Sequence, residues 1–332
     1  MPTFVRGAAI WDVECPRQPS RVAGVTMAGF RVRDLEALRI VPYPAVTLLL
    51  QFGAGSIVLD GAAGQQQRGS VVAGPGFGSG GAVRARGEHV ECVQVRLSPV
   101  IARPILGASP ADLDGVVVSL DDLWGRETSR IREQLGDAAS WQERFGLIDA
   151  VLARRHEAGP AVDPEAARAW CRIVASHGLT RVDGLAAEVG WSRQRLWSRF
   201  RSQLGLPPKR AGKLVRFDHA AHRLAAGEGA AQVAAGTGYA DQSHLHRDVM
   251  AFTGATPATV AGEPFLAVDD IAWPSPSRLR EPPASRRSSM TSRVAHDAGT
   301  TVRAATASVT ARTELPVVSP GRLPGGAGSR RG

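Results

Sequence analysis

Leu185-Ala186-Ala187-Glu188-Val189-Gly190-Trp191 and Val233-Ala234-Ala235-Gly236-Thr237-Gly238-Tyr239 are two copies of one pattern. An apolar residue, two alanines, two variable positions, a glycine and an aromatic residue recur at an offset of 48. One residue later the offset becomes 49, where Leu196 answers to Leu245 and Phe200 to Val249. Gly205-Leu206-Pro207-Pro208 likewise answers to Gly254-Ala255-Thr256-Pro257. Each copy reads as a short helix, a turn and a longer helix, the helix-turn-helix pattern. Ala186 and Ala234 let the two helices cross closely. Gly190 and Gly238 supply the left-handed backbone that ends a helix. Ser192 and Asp241 are suited to cap the second helices. Leu196/Phe200/Leu204 and Leu245/Val249/Phe252 form their inward faces.

Working outward, Leu214, Phe217, Ala221 and Leu224 step by three, four and three, which predicts a connecting helix from near Pro208 to Gly227. Asp163-Pro164-Glu165 opens another helix, closed at Gly178. Between Gly190 and Phe217 lie eight bases and no acid: Arg193, Arg195, Arg199, Arg201, Lys209, Arg210, Lys213 and Arg216. A solvated helix face would interleave Glu with these bases, so the asymmetry reads as a polyanion footprint. The total charge of +9 is weaker evidence. All bases but Lys209 and Lys213 are arginines, and the Gly, Pro and Ala content suggests GC-rich codon pressure. What informs is where the charge sits. Residues 1–162 carry 17 bases and 17 acids, residues 163–264 carry 13 and 9, and residues 265–332 carry 10 and 5. A neutral segment precedes a basic one and then a basic tail.

With Leu196 and Phe200 turned inward, Arg193, Gln194, Trp197 and Ser198 face out of the first copy's second helix. Arg and Gln are the side chains that make bidentate contacts to guanine and adenine edges. Trp197 has two readings, packing on a thymine methyl or sugar, or partial burial in the protein. Gln242, Ser243, His246 and Arg247 are the matching outward set in the second copy. Ser192, Arg199, Arg201 and Lys209 are expected to hold phosphates, which position a protein without specifying a sequence. His244 and His246 diverge on a helix and do not make a metal pair.

Residues 163–263 resemble the DNA-binding region of the AraC/XylS-type transcription regulators. The most specific stretch is Gly238-Tyr239-Ala240-Asp241-Gln242-Ser243-His244-Leu245, closing with Phe252-Thr253-Gly254-Ala255-Thr256-Pro257. Val249 departs from the phenylalanine common at that position. The resemblance implies two helix-turn-helix modules joined by the connecting helix, each placing one helix in adjacent major-groove segments of promoter or operator DNA. It is more diffuse in the first half, on Val93-Gln94-Val95-Arg96-Leu97-Ser98-Pro99, Ile105-Leu106-Gly107-Ala108 and Leu120-Asp121-Asp122-Leu123-Trp124-Gly125.

The first half reads as strands followed by helices. Val46–Leu50, Ser56–Leu59 and Ser70–Val72 are short β-branched runs between Gly-rich breaks. Val93, Val95 and Leu97 alternate with Gln94 and Arg96, the pattern of a half-buried strand. Ser109-Pro110-Ala111-Asp112 and Ser140-Trp141-Gln142-Glu143 each read as a capping box that opens a helix. Trp141, Phe145, Ile148 and Leu152 then share one helix face, to be buried against its own barrel or a second copy.

The fold class expected is α+β. A β-rich, barrel-like domain with a helical appendix (1–157) is followed by a linker (158–162). An all-α domain of two helix-turn-helix motifs (163–263) and a disordered basic Pro/Ser/Arg-rich tail (264–332) complete the chain.

Catalysis finds little support. Gly76-Phe77-Gly78-Ser79-Gly80-Gly81 matches a dinucleotide fingerprint, but the helix that must follow is absent. No Gly-Lys-Ser/Thr phosphate loop is present. His89 with Glu91 is one pair, too few for a metal site. No cofactor is expected. Three cysteines far apart, Cys15, Cys92 and Cys171, make no disulfide framework. The alternative reading is a barrel enzyme or DNA-repair alkyl-transfer protein fused to a DNA-binding module. It needs an activated cysteine, and Cys92 and Cys171 look structural. No apolar run reaches the roughly 18 residues of a membrane span, and no export signal leads the chain. A cytoplasmic, nucleoid-associated regulator without catalytic activity is expected. Its neutral half either dimerises or takes a small-molecule effector, and RNA polymerase is a further partner if it activates.

Overall fold

The structure is a computed structural model and describes residues 3–6, 9–61, 64, 66–80 and 83–273. Strand β10 (Val90–Leu97) organises the first half. It pairs antiparallel along its length with β3 (Val25–Arg33) on one side and β5 (Val46–Phe52) on the other. The larger sheet runs β1 (Thr3–Arg6), β2 (Ala9–Glu14), β3, β10, β5, β8 (Val71–Ala73) and β11 (Val117–Ser119). A smaller sheet runs β4 (Leu35–Arg39), β9 (Arg84–Glu88), β6 (Ser56–Asp60) and β7 (Gln66–Arg68). Paired strands are antiparallel throughout, so each can present one face to a core and the other elsewhere.

Helices α1 (Pro99–Leu106), α2 (Leu120–Trp124), α3 (Arg126–Asp137) and α4 (Trp141–Ala158) share a core with one face of the larger sheet. Ser140 accepts from the Glu143 N–H and Glu143 accepts from the Ala139 N–H, a reciprocal cap that starts α4. The α4 face of Trp141, Phe145, Ile148 and Leu152 packs on its own sheet with Leu48, Leu50, Phe52 and Val95. Gly29 on β3 makes room for it, because a Cβ there would lie 2.4 Å from the Trp141 ring.

Three expectations change here. Both faces of β10 are covered: Val93, Val95 and Leu97 face the helices, while Cys92 and Gln94 line a cavity on the other side. The Gln94/Arg96 alternation therefore marks an internal polar surface and not a solvated one. The Ser109 box makes only a 3-10 turn over Pro110–Leu113, because Asp114 is extended and Gly115 turns to φ +75°. Third, the tail does not begin at 264. Pro264 opens a further helix, Pro264–Ala272, whose apolar residues are buried. The remainder of the expected tail, 274–332, lies outside the described residues.

The second half is helical: α5 (Pro164–Ala175), α6 (Val182–Glu188), α7 (Arg193–Leu204), α8 (Pro208–Ala225), α9 (Ala230–Gly236), α10 (Gln242–Thr253), α11 (Pro257–Ala261) and α12 (Pro264–Ala272). One core joins them, with Phe200 and Phe217 fully buried, Trp170 beside Phe200 and Phe252 stacked 4.7 Å from Phe217. Val41 from the first half belongs to that core, and the described residues all lie in one compact unit. Arg210 pairs with Asp114, and the Ser109 hydroxyl donates to the Ser202 carbonyl at the C-terminal end of α7.

Candidate DNA-binding surface

Each copy of the repeat folds as a short helix, a glycine turn and a longer helix. Gly190 and Gly238 adopt φ +67° and +75°, the backbone that closes α6 and re-aims the chain after α9. Ser192 accepts from the Arg195 N–H and Asp241 from the His244 N–H, so both second helices start at a side-chain cap. Their inward residues Leu196, Phe200, Leu204, Leu245 and Val249 are fully buried. Gly205 and Gly254 close both helices in the left-handed conformation.

The outward residues are therefore fixed in position. Arg193, Gln194, Trp197 and Ser198 on α7 are exposed, as are Gln242, Ser243, His246 and Arg247 on α10. Trp197 is 49% exposed, so of its two readings the structure places it out of the core. Arg201 lies over its ring, 5.5 Å from the centroid. Arg193 is tethered back to α6 by Asp183 at 3.1 Å.

The eight bases of 190–217 do not form one continuous positive face. Arg199 is held by both oxygens of Asp163, at 2.8 and 3.0 Å. That hydrogen-bonded guanidinium pulls the Asp163 carboxyl below the ordinary carboxylate range. Arg193 pairs with Asp183, Arg210 with Asp114, and Lys213 and Arg216 with the buried Asp248. Arg195 lies 4.9 Å from the Trp191 ring centroid, Arg201 lies on Trp197, and Lys209 is exposed. Among the expected phosphate contacts, Ser192 is already engaged as a cap and Arg199 as an ion pair. Arg201 and Lys209 keep their charge outward. Sequence reading counted Arg195 in the basic stretch but gave it no role of its own; it is a second exposed base in the first turn of α7.

Arg216 has a structural task. It reaches from α8 to Asp248 on α10, lies 4.3 Å from the Tyr239 ring centroid and donates to the Gly238 carbonyl. It thus fixes the turn of the second motif to the connecting helix. Burial pushes the Tyr239 hydroxyl up to about 12.

Residues 185–262 match the family model of a helix-turn-helix domain. They form a helix-turn-helix domain. Such a domain is a DNA-binding motif. Among solved structures, ToxT from Vibrio cholerae O395 aligns with 72% of this chain and 98% of its own, at 10% identity and a TM-score of 0.42. The C-terminal domain of AraT, a response regulator from Geobacillus stearothermophilus, aligns over 30% of this chain and 85% of its own, at 19% identity and a TM-score of 0.29. The AraC-like transcriptional activator CuxR aligns over 57% and 80%, at 16% identity and a TM-score of 0.26. No curated protein sequence matches the chain.

A second site lies between the two sheets of the first half. An apolar cavity of about 100 Å³ is lined by Trp11, Phe30, Leu49, Ile57, Leu59 and others, and α12 contributes Phe265 and Val268. Cys92 lines it too, and burial pushes its thiol up to about 12. Burial likewise raises the Cys15 thiol. Among the described residues, no group of three or more His, Cys, Asp or Glu is placed to hold a metal ion. No described helix is long and apolar enough to cross a membrane.

Proposed function

We propose that the chain is a sequence-specific transcription regulator, with α7 and α10 reading adjacent major-groove segments of promoter or operator DNA. The observation that carries this reading is the pair of equivalent, capped helices with Arg193, Gln194, Trp197 and Ser198 exposed on one and Gln242, Ser243, His246 and Arg247 on the other. Arg and Gln on such a face suit guanine and adenine edges. Arg201 and Lys209 are the phosphate contacts of this reading, joined by Arg195.

The reading continues into the first half. A sheet pair that encloses an apolar cavity suits a small apolar effector. Pairing of two chains through α4 is disfavoured, since its apolar face is spent on its own sheet. Any homodimer of this protein uses another surface. A repair enzyme that transfers alkyl groups to cysteine is disfavoured, because burial raises the Cys92 and Cys15 thiols and, among the described residues, no group of metal ligands stands ready to activate a cysteine. The regulator acts in the cytoplasm, on the nucleoid, without catalysis. Contact with RNA polymerase belongs to the activator version of this reading.

The test is selection of DNA sequences from a random pool by the purified full chain, followed by Gln194→Ala. The variant should lose about 1–3 kcal/mol on the selected site and relax preference at one or two base pairs. A wild-type chain that selects nothing, or a variant with unaltered preference, refutes the assignment of α7 as a reader.

A further inference from the structure

Helix α12 follows the second helix-turn-helix motif, yet its side chains belong to two cores. Leu266 packs with α5–α11, while Val268 and Ala272 pack between the sheets. Phe265 stacks on Tyr43 at 5.9 Å, and Trp273 meets Phe30 at 5.8 Å, so both ends of the helix cover the cavity.

A charged clasp holds it there. Arg96, from the inner face of β10, donates two hydrogen bonds to the Asp269 carboxylate. Its guanidinium lies between two rings, 3.8 Å from the Tyr43 centroid and 3.6 Å from that of Trp273. On the far side of Asp269 stands His222 of α8, with Nε2 3.3 Å from Asp269 and Nδ1 2.9 Å from Asp270. Asp218, one turn earlier on α8, lies 3.8 Å from the same ring. One carboxylate therefore joins the cavity wall to the helix that connects the two readers.

The cavity also has an unspent polar group. The indole N–H of Trp11, a residue 6% exposed, has no acceptor among the described residues, and neither has that of Trp273. A buried donor without a partner costs free energy that a bound acceptor would recover.

We propose that α12 with Trp273 is a displaceable plug, and that an uncharged apolar molecule with one hydrogen-bond acceptor opens it. The idea rests on the effector reading above and adds the moving part. About 100 Å³ is less than the roughly 150 Å³ cavity that houses one benzene ring, so an occupant of two or more rings enters only as α12 leaves. When α12 leaves, Asp269 leaves both Arg96 and His222, and α8 loses a partner between the two motifs.

The experiment uses the full chain, hydrogen exchange read by mass spectrometry, and the uncharged three-ring ketone 9-fluorenone, whose carbonyl is its one hydrogen-bond acceptor. In the wild-type chain α12 should be protected, and probe binding should speed exchange there while β10 stays protected. Asp269→Asn, which keeps shape and loses the charge, should speed α12 exchange by about tenfold or more and tighten probe binding by a similar factor. Trp273→Ala tests the cover separately: probe binding should tighten with the Arg96–Asp269 clasp in place. Protected β10 and α8 peptides show that each variant is folded. The effect on the reader is measured as severalfold altered affinity of Asp269→Asn for the selected DNA site. Unchanged α12 exchange in folded Asp269→Asn, or bound probe with α12 still protected, overturns the plug. Open α12 with unaltered DNA affinity overturns its link to the reader. A wild-type chain that selects no DNA sinks the regulator reading instead, and the exchange arm still decides the plug.

Discussion

Arg199 and Arg201 sit two residues apart on the same helix, and charge alone gives them equal parts in holding DNA. The structure separates them. Arg199 is locked on both oxygens of Asp163, whereas Arg201 points out over Trp197. Neutralising one phosphate contributes about 0.9 to the slope of log affinity against log salt. Between 50 and 200 mM salt, one contact is therefore worth about 3.5-fold in affinity. Arg201→Ala should make the wild-type loss over that range about 3.5-fold smaller, on every sequence alike. Arg199→Ala should leave the slope within a few tenths of wild type. Asp163→Asn supplies the converse: with its partner neutral, Arg199 is freed, and the slope should steepen by up to about 0.9. Fluorescence anisotropy on a selected and a scrambled duplex, at four salt concentrations, measures all three. A slope that falls as far in Arg199→Ala as in Arg201→Ala would refute the reasoning, since it means that DNA opens the Asp163 pair.

Two further outcomes test the scaffold. Phe200→Ala empties a fully buried site beside Trp170 and should cost about 3–5 kcal/mol in urea unfolding, with DNA binding lost in proportion to the unfolded fraction. The α12 clasp should also set an alkaline limit. Burial alone would lower His222, but hydrogen bonds to Asp269 and Asp270 and the charge of Asp218 raise it from 6.5 to about 10. A raised pKa means that its stabilisation is whole below pH 6.5 and fades as pH rises through about 10. Asp218, raised by burial to about 6, is stabilising when protonated, so its share is lost between pH 3.8 and about 6. The melting temperature should therefore fall from pH 6.5 to 10, and His222→Gln should flatten that alkaline decline. An unaltered decline in the variant would place its origin elsewhere.

What the sequence made legible is what local chemistry decides. The turn glycines, Ser192, Asp241 and the buried steps at Leu196, Phe200, Leu245 and Val249 act within one or two helical turns, and the repeat doubles the signal. The reciprocal cap at Ser140 and the α4 face were legible for the same reason. Illegible were features settled by partners far along the chain. Strand β9, Arg84–Glu88, has no apolar alternation, and it becomes a strand because β4 and β6 flank it. Gln94 and Arg96 looked solvated because a two-residue period cannot tell water from a second sheet and a helix. Arg96 meets Asp269 at a separation of 173 residues, so no window of sequence contains the pair. The helix at Pro264 was hidden by the composition that follows it, although Phe265, Leu266 and Val268 carry enough apolar surface to be held by two cores.

The ion pairs bear on how such a domain achieves selectivity. A face of eight unpaired bases would bind any duplex, because phosphate attraction is blind to sequence. Five of those bases, Arg193, Arg199, Arg210, Lys213 and Arg216, are instead paired with Asp183, Asp163, Asp114 and Asp248. Most of these pairs join one helix to another, so the charge orients the motifs before it meets DNA. Arg193 is the informative case. Its pair with Asp183 holds a side chain proposed to read a base at the first turn of α7, and the pair is exposed enough to exchange for a guanine edge. Breaking an exposed pair costs little, about 0–1 kcal/mol. Leaving the guanidinium against a base without acceptors forfeits the bidentate contact, worth about 1–3 kcal/mol. That difference favours the right base over the wrong one. It also predicts that Asp183→Asn strengthens binding to scrambled DNA more than to the selected site.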